Sequence, residues 1–260
     1  DDGMIPEALE AALRSGPKFI YVLPNFQNPT GVTLSYERRI KLIDLADRYG
    51  VPIIEDDLYG QLRYEGEHIK SVVALDNEFR KNGDSGYRGN VIYLSTFSKT
   101  LAPGIRLAWV VAPPDVIRKL VQAKQGADLH TSTFNQVVAY EVAHGGFLDR
   151  HILTIRNVYG ERRNLMLDAM DEFFPREVSW TKPKGGLFLW GIMPEKLNSA
   201  DVLKRAIEQN VAFVPGAPFY ATGGGSNTMR INFSFATPEK MLVGIERLGK
   251  VLREMVAELA

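Results

Sequence analysis

The sequence contains no cysteine, which excludes disulfides, thiolate-bound metals and thiol nucleophiles together and fits a reducing compartment. Neither sign of charge is in excess: Lys plus Arg and Asp plus Glu both number 31. No overall field draws the chain to nucleic acid or to anionic lipid, so a small-molecule partner is expected. Long apolar runs are missing as well. A stretch such as 107–114 (LAWVVAPP) is far too short to cross a bilayer, and the first residues lack a basic segment followed by an apolar one. Together these absences read as a soluble, cytoplasmic protein. Internal repeats and low-complexity segments are also absent.

What is present is ordinary globular material: 260 residues, 45% hydrophobic and 24% charged, enough for one large domain or two smaller ones. The chain opens on Asp1-Asp2-Gly3 without an initiator Met, and Met4 falls on the approach to the first predicted helix. It therefore reads as N-terminally truncated.

A short helix is predicted over 6–13, and the continuous apolar run 19–23 (FIYVL), stopped by Pro24, reads as a buried strand. Ser35 can cap a helix over 36–49 with Ile40, Ile43 and Ala46 on one stripe, and Gly50 ends it before a strand at 51–55. Further apolar strands are predicted at 91–94 and 107–112, in the manner of a covered, largely parallel sheet. The polar, glycine-bearing stretch 76–90 reads as a mobile surface loop without chemistry. Helical spacing then returns at 115–128, at 135–143 and over a long segment, 148–173. Beyond Pro175 come short strands (187–190, 212–214, 230–235) interleaved with helices at 200–209 and 238–259. The predicted class is α/β, with a smaller α+β domain at the C-terminus.

Three segments stand where an open parallel sheet places its chemistry, directly after apolar strands. The first, Ser95 to Thr100 (STFSKT), continues to Arg106 and offers the hydroxyls of Thr96 and Ser98, the amine of Lys99 and a guanidinium whose planar fork suits a phosphate. The second is Pro24 to Gly31 (PNFQNPTG), which is also plain turn chemistry. The third is Glu55-Asp56-Asp57-Leu58-Tyr59. Taken singly, the lysine is a solvated side chain, the Asn-Pro a turn, and the acids a loop edge or an all-oxygen metal site with no histidine nearby.

Jointly these segments resemble the signature of the fold-type I, aspartate-aminotransferase-like family of pyridoxal-phosphate (PLP) enzymes. The likeness runs on through Pro183 to Trp190 (PKGGLFLW), Val214-Pro215-Gly216 and Met229 to Phe233 (MRINF), and so covers essentially the whole chain. The segment 122–131 (QAKQGADLHT) adds a likeness to the 2-aminoadipate and kynurenine aminotransferase branch. The resemblance implies the PLP-dependent transferase fold: residues 1–147 as the remainder of a large, mostly parallel-sheet PLP-binding domain, 148–174 as a long connecting helix, and 175–260 as a small α+β domain. It implies an aminotransferase that moves the amino group of an L-amino acid to a 2-oxo acid through a Lys99 Schiff base, with no metal. Asp56 would pair with the pyridine nitrogen of PLP, and Tyr59 and Asn28 would donate to its phenolic oxygen. Thr96, Ser98 and Arg106 would bind its phosphate, while Arg230 would grip the substrate carboxylate, with Asn28 also counted among the substrate-binding residues. Asp57 is expected to be structural. The family's homodimers imply a second copy as partner, and its upstream part, with a phosphate-binding glycine turn and a ring-stacking aromatic, has no counterpart in this sequence. The alternatives are a carbon–sulfur lyase or decarboxylase on the same fold, or the PLP-sensing domain of a transcription regulator.

Overall fold

A computed structural model of the chain describes residues 2–80 and 86–259. They fall into two compact units: the first takes the chain up to Asn25 and Val32–Ile155, the second Phe26–Gly31 and everything from Arg156 onward.

The first unit is a four-stranded sheet of β1 (Ile20–Val22), β2 (Ile53–Asp56), β3 (Val91–Thr96) and β4 (Ala108–Val111), in that order. The first three strands pair in parallel, with Val22 opposite Glu55 and Asp56 opposite Leu94, whereas β4 pairs antiparallel to β3. Alternation sends Ile20, Val22, Ile53 and Val91 into one core with Leu9 and Leu13 of α1 (Pro6–Leu13), Leu42, Ile43, Leu45 and Ala46 of α2 (Tyr36–Tyr49), and Val72 and Leu75 of α3 (Val72–Arg80). Helix α2 begins where Ser35 accepts a hydrogen bond from Arg38 N and ends on Gly50, whose φ of 64° is the left-handed cap that glycine adopts without strain. Helices α4 (Pro114–Ala127) and α5 (Thr133–Ala143) follow.

Two expectations are corrected here. The run 107–112 forms a strand, but Ala108–Val111 is exposed along its length, and its direction is reversed. The segment joining it to β3 has no crossover helix, only a short 3₁₀ turn at Pro103–Ile105, and a short connection can return a strand only antiparallel. The stretch 76–90 is not all loop: residues 76–80 close α3, and Asp76 is buried, accepting from Arg80 Nε, Tyr87 Oη and the Asn90 amide. The rest of that expectation falls partly on 81–85, outside the described residues.

Helix α6 (Phe147–Phe173) begins in the first unit and continues into the second. The second unit holds an antiparallel sheet in the order β5 (Ser179–Trp180), β6 (Phe188–Ile192), β8 (Thr228–Asn232), β7 (Val214–Pro215). Helices α7 (Ser199–Glu208) and α8 (Pro238–Ala257) accompany it. Met241, Ile245, Leu248, Val251, Leu252 and Met255 make the buried stripe of α8 at helical spacing. Among the described residues no helix is long and apolar enough to cross a membrane.

One carboxylate belongs to the fold itself. Glu55 sits on the core side of β2, fully buried, and accepts from the amides of Val72 and Val73 at 2.7 and 2.8 Å, so that it caps the first turn of α3. Burial pushes its carboxyl up to about 7, against the two amide bonds that lower it. Because the folded group keeps its proton to higher pH than the unfolded one, this residue's contribution to stability falls as pH rises from about 4.5 through 7. Chemical denaturation at pH 5 and pH 8 is expected to show native protein losing stability over that interval, with a flatter response in Glu55→Gln. Equal slopes in the two proteins contradict the shift. In the same assay Leu45→Ala, at a residue with no exposure, is expected to cost about 2–5 kcal/mol, and Ile40→Ala, 36% exposed, well under half of that.

Candidate active site

The C-terminal ends of β2 and β3 carry most of the chemistry of the first unit. On β2 the pleat sorts the three acids. Glu55 turns inward to α3, Asp56 to the opposite face, and Asp57, just beyond the strand, turns back again. Each has its own partners, so the three carboxylates do not converge. Asp56 Oδ2 accepts from Tyr21 Oη of the neighbouring strand at 2.5 Å. Partial burial and this bond hold the Tyr21 phenol well above its ordinary value, so it remains a proton donor to Asp56. Asp57 accepts from Asn25 Nδ2 at 2.8 Å, the Gly60 amide at 3.0 Å and Tyr93 Oη at 3.2 Å. Tyr59, at the end of that turn, is buried.

After β3 the backbone turns tightly. Thr96 Oγ1 donates to Leu107 O at 2.7 Å, lies 3.0 Å from Ser98 Oγ, and accepts from Ser98 N at 3.1 Å. Its single hydroxyl proton is used inside the turn, and the donors left at the rim are Ser98, Lys99 and Arg106. Ser95 is buried and donates to Asp57 O at 2.9 Å, tying this turn to the end of β2. Lys99 is half-buried. Arg106 is exposed, donates to Pro103 O at 3.1 Å, and adopts φ 54°, a left-handed conformation rare outside glycine.

The remaining two residues of the expected set lie in the second unit. Asn28 and Arg230 meet there: Arg230 Nη1 donates to Asn28 Oδ1 at 2.7 Å. Arg230 stands on the central strand β8, opposite Trp190 of β6 and Val214 of β7. Its guanidinium carbon lies 4.3 Å above the Phe188 ring and 5.3 Å from that of Phe219, contacts that fix its plane. Because Asn28 spends its oxygen on Arg230, the amide nitrogen is left as its outward donor. The turn carrying Asn28 is seated by close backbone approaches: a Cβ on Gly31 would lie 2.8 Å from Phe188 O, and one on Gly186 2.5 Å from Phe26 Cβ. Buried Arg163 holds Pro183 O at 2.6 Å beneath it.

Sequence reasoning passed over Tyr21, Asn25, Arg39 and Tyr93, and quoted Phe188 without a role. Tyr21 and Tyr93 carry the one available signal, a polar tip inside an apolar strand, but which carboxylate each meets is decided by strand register.

The family model for aminotransferase class I and II matches residues 2–248. The chain is 45% identical over 260 residues to aromatic-amino-acid aminotransferase 1 of Thermococcus litoralis, covering 98% of this chain and 60% of that protein. It is 43% identical over 258 residues to the 2-aminoadipate transaminase of Thermus thermophilus, covering 99% and 63%. The crystal structure of Pyrococcus horikoshii kynurenine aminotransferase in complex with PMP superposes with a TM-score of 0.92 at 46% identity, over 98% of this chain and 62% of that one. A weaker likeness, 29% over 258 residues, reaches the HTH-type transcriptional regulator YisV of Bacillus subtilis, covering 98% of this chain and 51% of the regulator. The chain thus spans about 60% of the length of the curated aminotransferases it matches. With the family model covering nearly all of its residues and the α/β architecture shared with a solved member, this chain belongs to the aminotransferase class I and II family.

Proposed function

We propose that the chain is the catalytic portion of a PLP-dependent aminotransferase that moves the amino group of an L-amino acid to a 2-oxo acid. The observation that carries this reading is the placement of Ser98, Lys99 and Arg106 on the single connection that leaves the end of β3, with a carboxylate, Asp56, at the end of the adjacent parallel strand. The donor set fits the cofactor: cationic and hydroxyl donors for a phosphate, an amine for a covalent link, and an acid for a ring nitrogen. Asp56 Oδ2 is already oriented by Tyr21. Bound there, PLP supplies an electron sink, its protonated ring accepting the electron pair left on the substrate when a proton departs.

The residues divide the work. Ser98 and Arg106 hold the phosphate by charge-assisted hydrogen bonds, and Thr96 shapes the turn that presents them. Asp56, as a carboxylate, keeps the ring nitrogen protonated. Tyr59 O–H and the Asn28 amide nitrogen donate to the phenolic oxygen. Lys99 Nζ would hold the cofactor covalently, and its free amine would be the base that takes the Cα proton. Arg230 binds the substrate carboxylate and fixes the direction of the Cα–H bond. The large domain over 1–147, the connecting helix over 148–174, the small domain over 175–260, a homodimeric assembly and a cytoplasmic location belong to the same proposal. They are supported by the family resemblance and the absence of cysteine.

The likeness to a regulator gives a second reading, PLP sensing behind a DNA-binding segment. Full-length protein that binds PLP and DNA but transfers no amino group favours it.

Borohydride reduction of full-length protein loaded with PLP, followed by peptide mass spectrometry, is expected to place the label on Lys99. Label on any other lysine overturns the assignment. Arg230→Ala is expected to raise the KM for amino acids about 10- to 100-fold, the scale of the charge-assisted bonds removed, while PLP stays bound. An unchanged KM rejects this role for Arg230.

A further inference from the structure

Behind Asp56 lies a buried polar chain to which the proposed chemistry assigns nothing. It starts at Arg39 of α2, whose side chain has no exposure and whose guanidinium is spent entirely on the first unit. Nε donates to Leu34 O at 3.0 Å, Nη1 to Lys70 O at 2.9 Å, and Nη2 to Pro24 O at 3.1 Å and to Asn25 Oδ1 at 2.6 Å. Burial lowers this guanidinium to about 10, which still leaves it charged at neutral pH. By accepting from Arg39 through its oxygen, Asn25 has its amide orientation fixed, and the nitrogen donates to Asp57 Oδ1.

Asp57 then does two things at once. Its Oδ1 accepts the Gly60 amide three residues on, which folds the turn carrying Tyr59, and its Oδ2 accepts from Tyr93 of β3. Its backbone is held too: the amide donates to Leu94 O at 2.9 Å and the carbonyl accepts from Ser95 Oγ. Space confirms that the turn is built around this carboxylate. A Cβ on Gly60 would lie 2.6 Å from both Asp57 oxygens, so the side chain occupies the volume that residue 60 vacates.

We propose that Asp57, held by the Arg39–Asn25 pair, is a positioning residue that sets the placement of Asp56 and Tyr59 for cofactor binding. The inference rests on the cofactor reading above. Asp56 precedes Asp57 in the chain and Tyr59 lies inside the hydrogen-bonded turn, so both inherit whatever position Asp57 is given. What matters is the shape of the contact rather than the charge. An asparagine at 57 keeps an oxygen for the Asn25 and Gly60 donors and turns its amide nitrogen toward the Tyr93 oxygen, whereas an alanine removes all three bonds.

The test uses full-length protein and reads the dissociation constant for PLP by fluorescence titration, the split of amino-acid KM against kcat, and the melting temperature of the apoprotein. Asp57→Ala is expected to weaken PLP binding and lower kcat by about tenfold or more, as loss of partners that orient ligating residues does, with amino-acid KM within about twofold of native. Asp57→Asn is expected to stay within about threefold of native in every reading, on the same warrant. Asn25→Asp keeps the size and the Arg39 contact but turns a like charge on Asp57. It is expected to reproduce the loss, and it serves as the decisive variant if Asp57→Ala does not fold. Native PLP affinity in Asp57→Ala or Asn25→Asp overturns the proposal, and so does an Asp57→Asn protein as impaired as Asp57→Ala, since charge would then be the active property. Native protein that takes up no PLP overturns the cofactor reading itself, a result distinct from native uptake that the variants leave unchanged.

Discussion

The first unit depends on one buried cation. Arg39 lies where an apolar side chain would be expected, and desolvating a guanidinium is tolerated only because four oxygen acceptors surround it. Three of these are main-chain carbonyls from separate stretches of chain, at Pro24, Leu34 and Lys70. One side chain thus fastens both ends of the loop that carries the N-P-T-G turn, together with the segment leading into α3. Pro24 O accepts from the Leu34 amide as well, so the neck of that loop is closed twice. Removing such a partner takes the donor from the buried Leu34 O and Asn25 Oδ1, and a buried acceptor left without a partner costs more than its bond contributes.

From that neck the polar order spreads along the strand ends. Tyr21, Asp56, Tyr93 and Ser95, within the strands, and Asn25 and Asp57, just beyond the ends of β1 and β2, bridge β1, β2 and β3 through their side chains. In the second unit the same economy is reached differently, with Arg230 positioned between an amide oxygen and aromatic faces. Each unit orders its own polar groups by its own contacts, so the catalytic roles proposed for them call for little rearrangement of those side chains within either unit.

What the sequence made legible follows from the range of each interaction. The bounds of helix α2 were readable to the residue because their signals are local, a serine before it and a glycine after it, whereas Ile40 of the expected stripe is exposed and Ile43 and Ala46 are buried. Strand β4 was readable as a strand but not in direction or cover, since an apolar run states a preference and not a neighbour. The end of α3 was hidden in a polar stretch whose buried member, Asp76, is stabilised by Arg80, Tyr87 and Asn90 rather than by an apolar pattern. Lys99, Asn28, Asp56 and Arg106 drew attention through short motifs with recognisable spacing. Tyr21, Asn25 and Arg39 carry no such spacing, because their meaning arises only when β1 and β2 lie in register and α2 packs beside them.

Gly60 shows how such an arrangement constrains descent. Glycines in turns are usually retained for their backbone freedom, yet this one is required for the room it leaves beside Asp57. A side chain at 60 becomes admissible only when the one at 57 shortens, so neither position can drift alone. A lineage that exchanges the pair must pass through an intermediate with either a clash or an unfilled space beneath the turn bearing Tyr59.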